Sequence, residues 1–320
     1  MKSTVFHSSL DMAERLAAVL KACSGAIAAD VPGEQDLGFV LAAYAPGCDE
    51  AEIAAHNGGL AFYPASVVKL GWALVALERL EAGSLEAHPE LERSLTDMLG
   101  VSSNAATNYV VDCLTGTTGD TLLHGGDFAM AMETQQGPTR RLAACGWPEW
   151  ERCQIVQKAS DEDRYGRHMQ FRDALGHNVL TPLGAARLLH ESLFANSFSA
   201  GVTQRMRGYL ARPVDAAAIA AEPISQVVAF LGGGLAPHLP AGSRLYSKAG
   251  WSMYTGDPGS MWHRHDAAFA ALPDGSGLLS VVLTNGERAA KSETLLPALG
   301  GAIADACLPL SGLPRDNGNR

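Results

Sequence analysis

The sequence predicts an α+β fold in which an antiparallel sheet of about five strands is flanked by helices and carries an inserted all-helical domain. Three observations support this prediction. Strand-like segments lie towards both ends of the chain, helical periodicity dominates its middle, and 47% of the 320 residues are apolar, enough for a large core. We therefore expect a discontinuous sheet domain over 1–65 and 215–310, a mostly helical domain over 66–214, and a flexible tail over 311–320.

The first predicted element is an amphipathic helix near the N-terminus. Leu10, Ala13, Leu16, Ala17 and Leu20 recur at helical spacing, which indicates one buried face.

Two strands and a buried helix are predicted next. The apolar run 37–44 ends at the turn-forming pair Pro46-Gly47, and the run 57–59 (Asn-Gly-Gly) marks a second turn, so a strand pair is expected. Between Ser66 and Leu85, apolar residues recur every three or four positions, which predicts a helix buried in the core.

The middle of the chain favours helices, apart from one long polar region. We expect that region, 137–180, to be a partly irregular loop, and long loops in compact domains are often functional. The predicted helices are Leu91–Leu99, Asn104–Leu114, Thr121–Met132 and Pro182–Leu193.

The C-terminal third returns to strands. Three are predicted, at 244–251, 266–272 and 277–284, and the turn at 273–275 (Pro-Asp-Gly) joins the last two as a hairpin. A helix over 292–307 is predicted to close the fold.

Composition narrows the possible partners and the compartment. Asp and Glu outnumber Lys and Arg by 34 to 24, so the net charge of −10 disfavours binding to nucleic acids and anionic membranes.

No run approaches the roughly 18 apolar residues of a membrane helix. The N-terminus is polar and then charged, unlike a secretory signal, so we expect a cytoplasmic protein. The six cysteines form no C-x-x-C pair and are expected to be mostly buried small apolar side chains, with a disulfide framework as the alternative.

The first element with possible chemistry is the S-x-x-K spacing of Ser66 and Lys69. Positions i and i+3 share a helical face, so the amine can reach the hydroxyl and, when neutral, can accept its proton. At a helix N-terminus, free backbone N–H groups would also favour developing negative charge. Alone, the spacing equally fits an ordinary serine and lysine in the first turns of a helix.

Two further segments carry polar groups of the same kind. Ser102 and Asn104 stand at the start of a predicted helix, where a purely structural N-cap is the alternative. Lys248 lies two residues before Gly250 on a predicted strand, where a lysine often serves only to prevent aggregation at a sheet edge.

Taken together, these segments resemble the signature of the penicillin-recognising serine enzymes, S-x-x-K, S-x-N and K-[TS]-G in that order. The surrounding sequence is similar to class A β-lactamases, and the resemblance extends over roughly 35–305. The similar stretches are 62–66 before the serine, 103–108 after the second motif, 181–189 in the helix that follows the family's omega loop, and 273–286 in the last hairpin.

The resemblance implies a fold of the β-lactamase/transpeptidase type and an acyl-enzyme mechanism. Ser66 would attack a carbonyl, Lys69 would act as general base, and Ser102 would pass a proton to the leaving nitrogen. Lys248 would stabilise Ser102 and an anionic group of the substrate. Backbone N–H groups of Ser66 and Trp251 would form the oxyanion hole, each typically contributing about 3–4 kcal/mol in the transition state.

Substrate-binding roles are expected for four residues. Asn104 and Gly250 belong to the second and third motifs, and Trp251 directly follows the third. His263 belongs to the segment that follows the lysine strand, and a cationic side chain of that segment (His263, Arg264 or His265) is an alternative contact for a substrate carboxylate.

The sequence departs from the class A pattern in three ways. The loop region lacks the family's E-x-x-L-N stretch, so Glu149, Glu151 and Glu162 are candidates for activating the deacylating water by position only. Ala249 replaces the hydroxyl residue that binds the substrate carboxylate in the family. The segment between the first two motifs is also short for a class A β-lactamase.

These departures favour a cytoplasmic serine hydrolase that cleaves an amide, ester or lactam bond of a small metabolite, rather than an antibiotic-resistance enzyme. The alternatives are an acylated sensor or binding domain with little turnover, and a true β-lactamase. A metallohydrolase built on His263 and His265 is a third possibility, although no third or fourth ligand is evident. We expect no cofactor and no metal, and the oligomeric state is left open.

Overall fold

The protein is described from a computed structural model. The structure describes residues 4–117, 121–159, 164–222, 226–308 and 310; the predicted flexible tail lies outside them.

Along the described chain, one short strand and two helices are followed by a strand pair and by a long run of helices that is interrupted by one two-residue strand. Three long strands and two closing helices complete the order. The strands are β1 (Phe6–Ser8), β2 (Leu37–Tyr44), β3 (Ala51–His56), β4 (Ala211–Arg212), β5 (Arg244–Ser252), β6 (His263–Ala271) and β7 (Gly277–Thr284). The helices are α1 (Leu10–Ala22), α2 (Ser24–Asp30), α3 (Lys69–Glu81), α4 (Pro89–Gly100), α5 (Asn104–Thr115), α6 (Gly125–Gln135), α7 (Gly137–Ala143), α8 (Gly166–Leu175), α9 (Pro182–Leu193), α10 (Ala200–Leu210), α11 (Ala216–Ala221), α12 (Leu231–Leu235), α13 (Glu287–Lys291) and α14 (Leu295–Cys307).

The strands form one sheet in the order β1-β3-β2-β7-β6-β5-β4. All neighbouring pairs are antiparallel except β1 and β3, which are parallel. The α+β class is confirmed, but the described residues contain seven strands, so the expected five was wrong. The two additional strands, β1 and β4, have three and two residues, too few to give an alternating apolar pattern in the sequence.

Both faces of the sheet are covered by helices. On one face, α3, α9 and the helices around them pack on side chains such as Val40 and Phe269. On the other, α1, α12 and α14 pack on side chains such as Phe39 and Val282. Because β2 and β7 are buried along their whole length, they read in the sequence as continuous apolar runs.

The buried face of α1 differs from the expected one. Met12, Leu16 and Val19 are buried, whereas Leu10 is 85% exposed. The spacing predicted one buried face containing Leu10, but the face that lies against α14 and the sheet is the one containing Met12.

The loop region 137–180 is more regular than expected. It contains α7 and α8, and Gln154, which lies between them in the sequence, forms an isolated antiparallel bridge with Val179, which follows α8. By contrast, the described α9 has the predicted bounds, because Thr181 caps it by accepting a hydrogen bond from the Gly184 N–H and Pro182 occupies its first turn.

Among the described residues, no helix has both the length and the apolar character needed to cross a membrane.

Candidate active site

The Ser66 hydroxyl lies on a tight turn that leads into a buried helix. The turn, Ala65–Val68, is a 3₁₀ helix, and α3 follows directly from Lys69. Ala65 has a φ of 44°, a left-handed conformation that is unfavourable for residues other than glycine. The helix expected from Ser66 is thus confirmed with a 3₁₀ first turn, and Ser66 lies half-buried at the wall of a cleft.

Lys69 is completely buried and is held by oxygen atoms from the second motif. Its Nζ donates to the Ser102 carbonyl (2.6 Å) and to Asn104 Oδ1 (2.9 Å), and it lies 3.2 Å from Ser102 Oγ. Burial lowers the pKa of Lys69 to about 7. A large fraction of this amine is therefore neutral near neutral pH, which is the form that can accept a proton.

Ser102 and its neighbour Ser103 have different roles in the structure. Ser103 is the N-cap of α5 and accepts a hydrogen bond from the Ala106 N–H, so the capping alternative is correct for this residue. Ser102 has a φ of 60°, which places it outside the helix and turns it towards the lysines. Its hydroxyl accepts a hydrogen bond from Lys248 Nζ at 2.9 Å.

Lys248 is completely buried on β5, and its three N–H groups have three acceptors. Besides Ser102 Oγ, Nζ donates to Gln226 Oε1 (2.6 Å) and to the Ala249 carbonyl (2.6 Å). Burial, followed by the nearby charge of Lys69, lowers the pKa of Lys248 well below that of an exposed lysine.

Gln226 is a buried member of this group that the sequence did not indicate. Its Nε2 donates to the carbonyls of Leu99 (2.9 Å) and Gly100 (2.5 Å), while Oε1 accepts from Lys248. The amide therefore fixes the lysine on β5 relative to the end of α4. No motif surrounds Gln226, so sequence alone offered no signal for it.

Gly250 allows the sheet to approach the Ser66 turn closely. A Cβ at this position would lie 3.0 Å from the Pro64 carbonyl and 3.2 Å from the Ser66 nitrogen. A side chain here would push the turn away from β5. The next residue, Trp251, also lines the cleft, so the backbone of β5 lies beside the Ser66 N–H.

The opposite wall of the cleft comes from the 137–180 region and carries amides. Asn178 Oδ1 accepts from the backbone N–H groups of Val156 (2.6 Å) and Gln157 (3.0 Å). Gln157 Oε1 in turn accepts from the Asn178 N–H (2.7 Å) and lies 3.2 Å from His177 Nδ1. Among the described residues that line the cleft, none is Asp or Glu. These residues are Tyr63, Ala65, Ser66, Val68, Lys69, Trp72, Asn104, Thr107, Gln157, Ala159, Arg164, Asn178, Trp251, Ser252, Thr255 and Ser260.

None of the three glutamates that were proposed by position is among the described residues of this wall. Glu149 lies 3.6 Å from Arg187 Nη1, and Arg187 also pairs with Glu191, in a buried structural ion cluster. Glu151 is exposed, and it does not line the described part of the cleft. Glu162 lies outside the described residues.

Trp251 and Arg264 contact each other away from the motif lysines. The Trp251 indole donates to the Ala290 carbonyl and stacks with the Arg264 guanidinium at 5.2 Å. Arg264 also donates to the Ala290 carbonyl, at 3.0 Å. Arg264 is therefore occupied by backbone and aromatic contacts, and it is not among the described residues that line the cleft.

His263 and His265 lie on the same side of β6, beneath Tyr63. His263 is buried against the Tyr63 ring, with ring centroids 5.4 Å apart, and burial lowers its pKa to about 4. Burial also lowers the pKa of His265 to about 3. Both rings are thus neutral at physiological pH and do not supply a cation. The described residues contain no group of three or more His, Cys, Asp or Glu side chains arranged to hold a metal ion.

The structure therefore brings together the three motifs from distant parts of the chain. Ser102 links Lys69 to Lys248, and Asn104 anchors Lys69. Ser66 and Lys69 line the same cleft, although in the described residues no hydrogen bond joins the Ser66 hydroxyl to Lys69 or Ser102. This arrangement offers a serine, an amine of lowered pKa and a second hydroxyl that can exchange a proton with that amine.

Comparison with known proteins identifies the fold. No protein-family model matches the sequence, and no curated protein matches it significantly. Solved structures do match. A β-lactamase from Sphaerobacter thermophilus is 18% identical over 96% of this chain and 100% of its own, with a TM-score of 0.59. One from Xanthomonas campestris is 17% identical over 92% of this chain and 98% of its own, with a TM-score of 0.61. A reconstructed class A β-lactamase of the last common ancestor of Gram-negative bacteria is 14% identical over 91% of this chain and 99% of its own, with a TM-score of 0.60. The chain has the fold of the class A β-lactamases.

Proposed function

We propose that the protein is a cytoplasmic serine hydrolase that cleaves an amide, ester or lactam bond of a small metabolite through an acyl-enzyme on Ser66. The observation that carries the proposal is the position of Ser102, whose hydroxyl contacts the Nζ atoms of both Lys69 and Lys248 beside the cleft that holds Ser66. The β-lactamase fold supports a hydrolase acting on such bonds.

In the acylation step, the neutral amine of Lys69 takes the proton of the Ser66 hydroxyl as Oγ attacks the substrate carbonyl. The new C–O bond places negative charge on the former carbonyl oxygen. Backbone N–H groups of Ser66 and Trp251 stabilise that oxyanion, and each such donor is typically worth about 3–4 kcal/mol. The close approach of β5 to the turn at Gly250 supports this pairing of donors.

Collapse of the intermediate breaks the bond to the leaving group, which needs a proton. Ser102 donates it and recovers one from the Lys69 ammonium across their 3.2 Å contact. Lys248 holds the Ser102 hydroxyl and stabilises the charge that develops on its oxygen. Lys69 is then neutral again, so it can serve as base for the water that hydrolyses the acyl-enzyme.

A second candidate is a protein that stays acylated for long periods. The amides of Gln157 and Asn178 occupy the described wall opposite the lysines, and an amide does not accept a proton from water as a carboxylate does. This observation favours slow deacylation, as in a sensor or binding domain, and also argues against efficient hydrolysis of β-lactam antibiotics. Efficient β-lactamase activity would therefore need a base that the described loop wall does not supply.

Substrate, partner and compartment follow from the same features. Asn104 and Trp251, which line the cleft, are proposed to contact the substrate directly, Gly250 through its backbone beside the Ser66 turn, and His263 through Tyr63. The net charge of −10 supports a small-molecule substrate over nucleic acid or an anionic membrane. The six cysteines are free, which fits a reducing compartment.

The test is incubation with p-nitrophenyl acetate and with a chromogenic cephalosporin, followed by mass spectrometry of the intact protein. We expect steady release of nitrophenol, resistance of that activity to chelators, and an acetyl group on Ser66 at short times. A persistent adduct without turnover would support the acylated sensor instead. Cephalosporin turnover at the rate of an efficient β-lactamase would contradict the metabolite hydrolase, and loss of activity on chelation would contradict both serine mechanisms.

A further inference from the structure

His265 lies directly beneath the turn that carries Ser66. It is completely buried on β6, and its backbone pairs with Gly250 across the sheet. Two backbone groups from different elements bind its ring. The Thr284 N–H of β7 donates to Nδ1 at 3.0 Å, and Nε2 lies 2.8 Å from the carbonyl oxygen of Tyr63.

These two contacts fix the protonation of the ring. Nδ1 accepts a hydrogen bond from a backbone N–H, so it carries no proton. The neutral imidazole then has its proton on Nε2, which donates it to the Tyr63 carbonyl. Burial, which lowers the pKa of His265, keeps the ring in this neutral form across the physiological range.

The turn needs such a contact because the backbone conformation at Ala65 is unfavourable. Tyr63 stands three residues before Ser66, and between them Ala65 has a φ of 44°. Such a conformation persists only where the surrounding structure holds it. The hydrogen bond from the imidazole to the Tyr63 carbonyl holds the start of the turn. The close contact of Gly250 with the Ser66 nitrogen holds the turn at the serine itself.

We infer that His265 is a positioning residue that holds the Ser66 turn on the sheet, and so sets the direction of the Ser66 hydroxyl and of its backbone N–H. The inference rests on the proposed function of Ser66 as the nucleophile. It assigns His265 no contact with the substrate, so binding of the substrate should depend little on it, whereas the rate of acylation should depend on it strongly.

Two substitutions separate the two hydrogen bonds of the ring. In His265→Gln, the amide nitrogen is as many bonds from Cα as Nε2 and can still donate to the Tyr63 carbonyl. In His265→Asn, the amide oxygen is as many bonds from Cα as Nδ1 and can still accept from the Thr284 N–H. We expect Asn to lower the acylation rate constant, measured from the pre-steady-state burst with p-nitrophenyl acetate, about 10- to 100-fold with little change in the substrate dissociation constant, and Gln to stay within about threefold of the wild type.

The outcomes distinguish the inference from the function on which it rests. Equal losses in the two variants at unchanged melting temperature, or full activity of His265→Asn, would overturn the positioning role while Ser66 is still labelled. Labelling that persists in Ser66→Ala would instead overturn the proposed function. If the Asn variant does not fold, ¹⁵N NMR of histidine-labelled wild-type protein decides: the Nε2–H tautomer of His265 supports the inference, and the Nδ1–H tautomer overturns it.

Discussion

The two walls of the cleft differ in how their polar groups are arranged. On the wall built by the three motifs, buried lysines meet a serine, and every N–H of Lys248 has an acceptor. On the wall built by the 137–180 region, the side chains of Gln157 and Asn178 mainly bond to backbone groups of that region itself. The first wall, called the motif wall, carries groups that can exchange protons. The second, called the loop wall, carries amides whose hydrogen bonds hold the loop segments together.

Under the proposed function, the difference between the two walls indicates which half of the acyl-enzyme cycle should be faster. Attack by Ser66 and protonation of the leaving group need an amine of lowered pKa and a second hydroxyl, and the motif wall has both. Hydrolysis of the acyl-enzyme needs a base beside the incoming water, and the described loop wall offers amides, so Lys69 has to serve as the base for this step as well. We therefore expect acylation to be the faster step.

The largest expected effect comes from Ser66→Ala. Removing the nucleophile should reduce the hydrolysis of p-nitrophenyl acetate by at least about 10⁴-fold and abolish the acetyl adduct, since the remaining groups cannot form a covalent intermediate. Steady-state kinetics and intact mass measure the two effects. Ser103→Ala is the matched control: it removes the N-cap of α5, so it should lower the melting temperature without abolishing the adduct. An adduct retained in Ser66→Ala would assign the chemistry to another residue.

The next largest effect is expected for Lys69→Met, which removes the proton acceptor while keeping an unbranched side chain one atom shorter. Acylation should slow by about 10²- to 10⁴-fold, the usual range for a general base. In the wild type, kcat/KM should rise with pH through about 7, because the amine becomes active as it loses its proton. In the variant this acid limb should vanish from the pH profile. A limb that persists unchanged would show that another group titrates.

The loop wall is tested by giving it a carboxylate. In Gln157→Glu, one oxygen can keep the hydrogen bond from the Asn178 N–H, while the second replaces the amide nitrogen of a residue that lines the cleft. We expect breakdown of the acyl-enzyme to accelerate by about 10²-fold, with the acylation rate little changed. Single-turnover decay of the acetyl adduct measures this. Gln157→Met, which lacks a base, should give no acceleration, and equal decay in both variants would mean that deacylation does not depend on this wall.

The sequence predicted the motif wall well because its residues act in short, regular spacings. The i, i+3 relation of Ser66 and Lys69 survives in the 3₁₀ turn and α3, and the strand carrying Lys248 has nearly the predicted bounds. Long elements with strong periodicity, such as α9, were also predicted correctly. These features depend on neighbours in the chain, so they can be recognised without the fold.

The remaining features depend on contacts between distant segments. Gln226 reaches Lys248 from a segment without a motif, and His265 reaches Tyr63 across 202 positions. The two shortest strands, β1 and β4, are defined by their pairing with β3 and β5. Likewise, the presence of Met12 rather than Leu10 in the core is decided by where α14 packs. No local pattern encodes such contacts.

The smallest expected effect concerns Gln226, which links Lys248 to the end of α4. Its Oε1 lies 2.6 Å from Lys248 Nζ and stabilises the charged form of an amine whose pKa burial already lowers.

Gln226→Met removes that acceptor, so the pKa of Lys248 should fall further. A hydrogen bond to a charged group is worth about 1.5–3 kcal/mol, which corresponds to a shift of about one to two pH units. Since charged Lys248 is the form that holds Ser102, the alkaline limb of kcat/KM should move to lower pH by that amount. Gln226→Glu serves as the matched variant, because its carboxylate also binds Nζ and should move the limb to higher pH. If both variants shift the limb in the same direction, the amide acts through the carbonyls of Leu99 and Gly100 and not through the charge of Lys248.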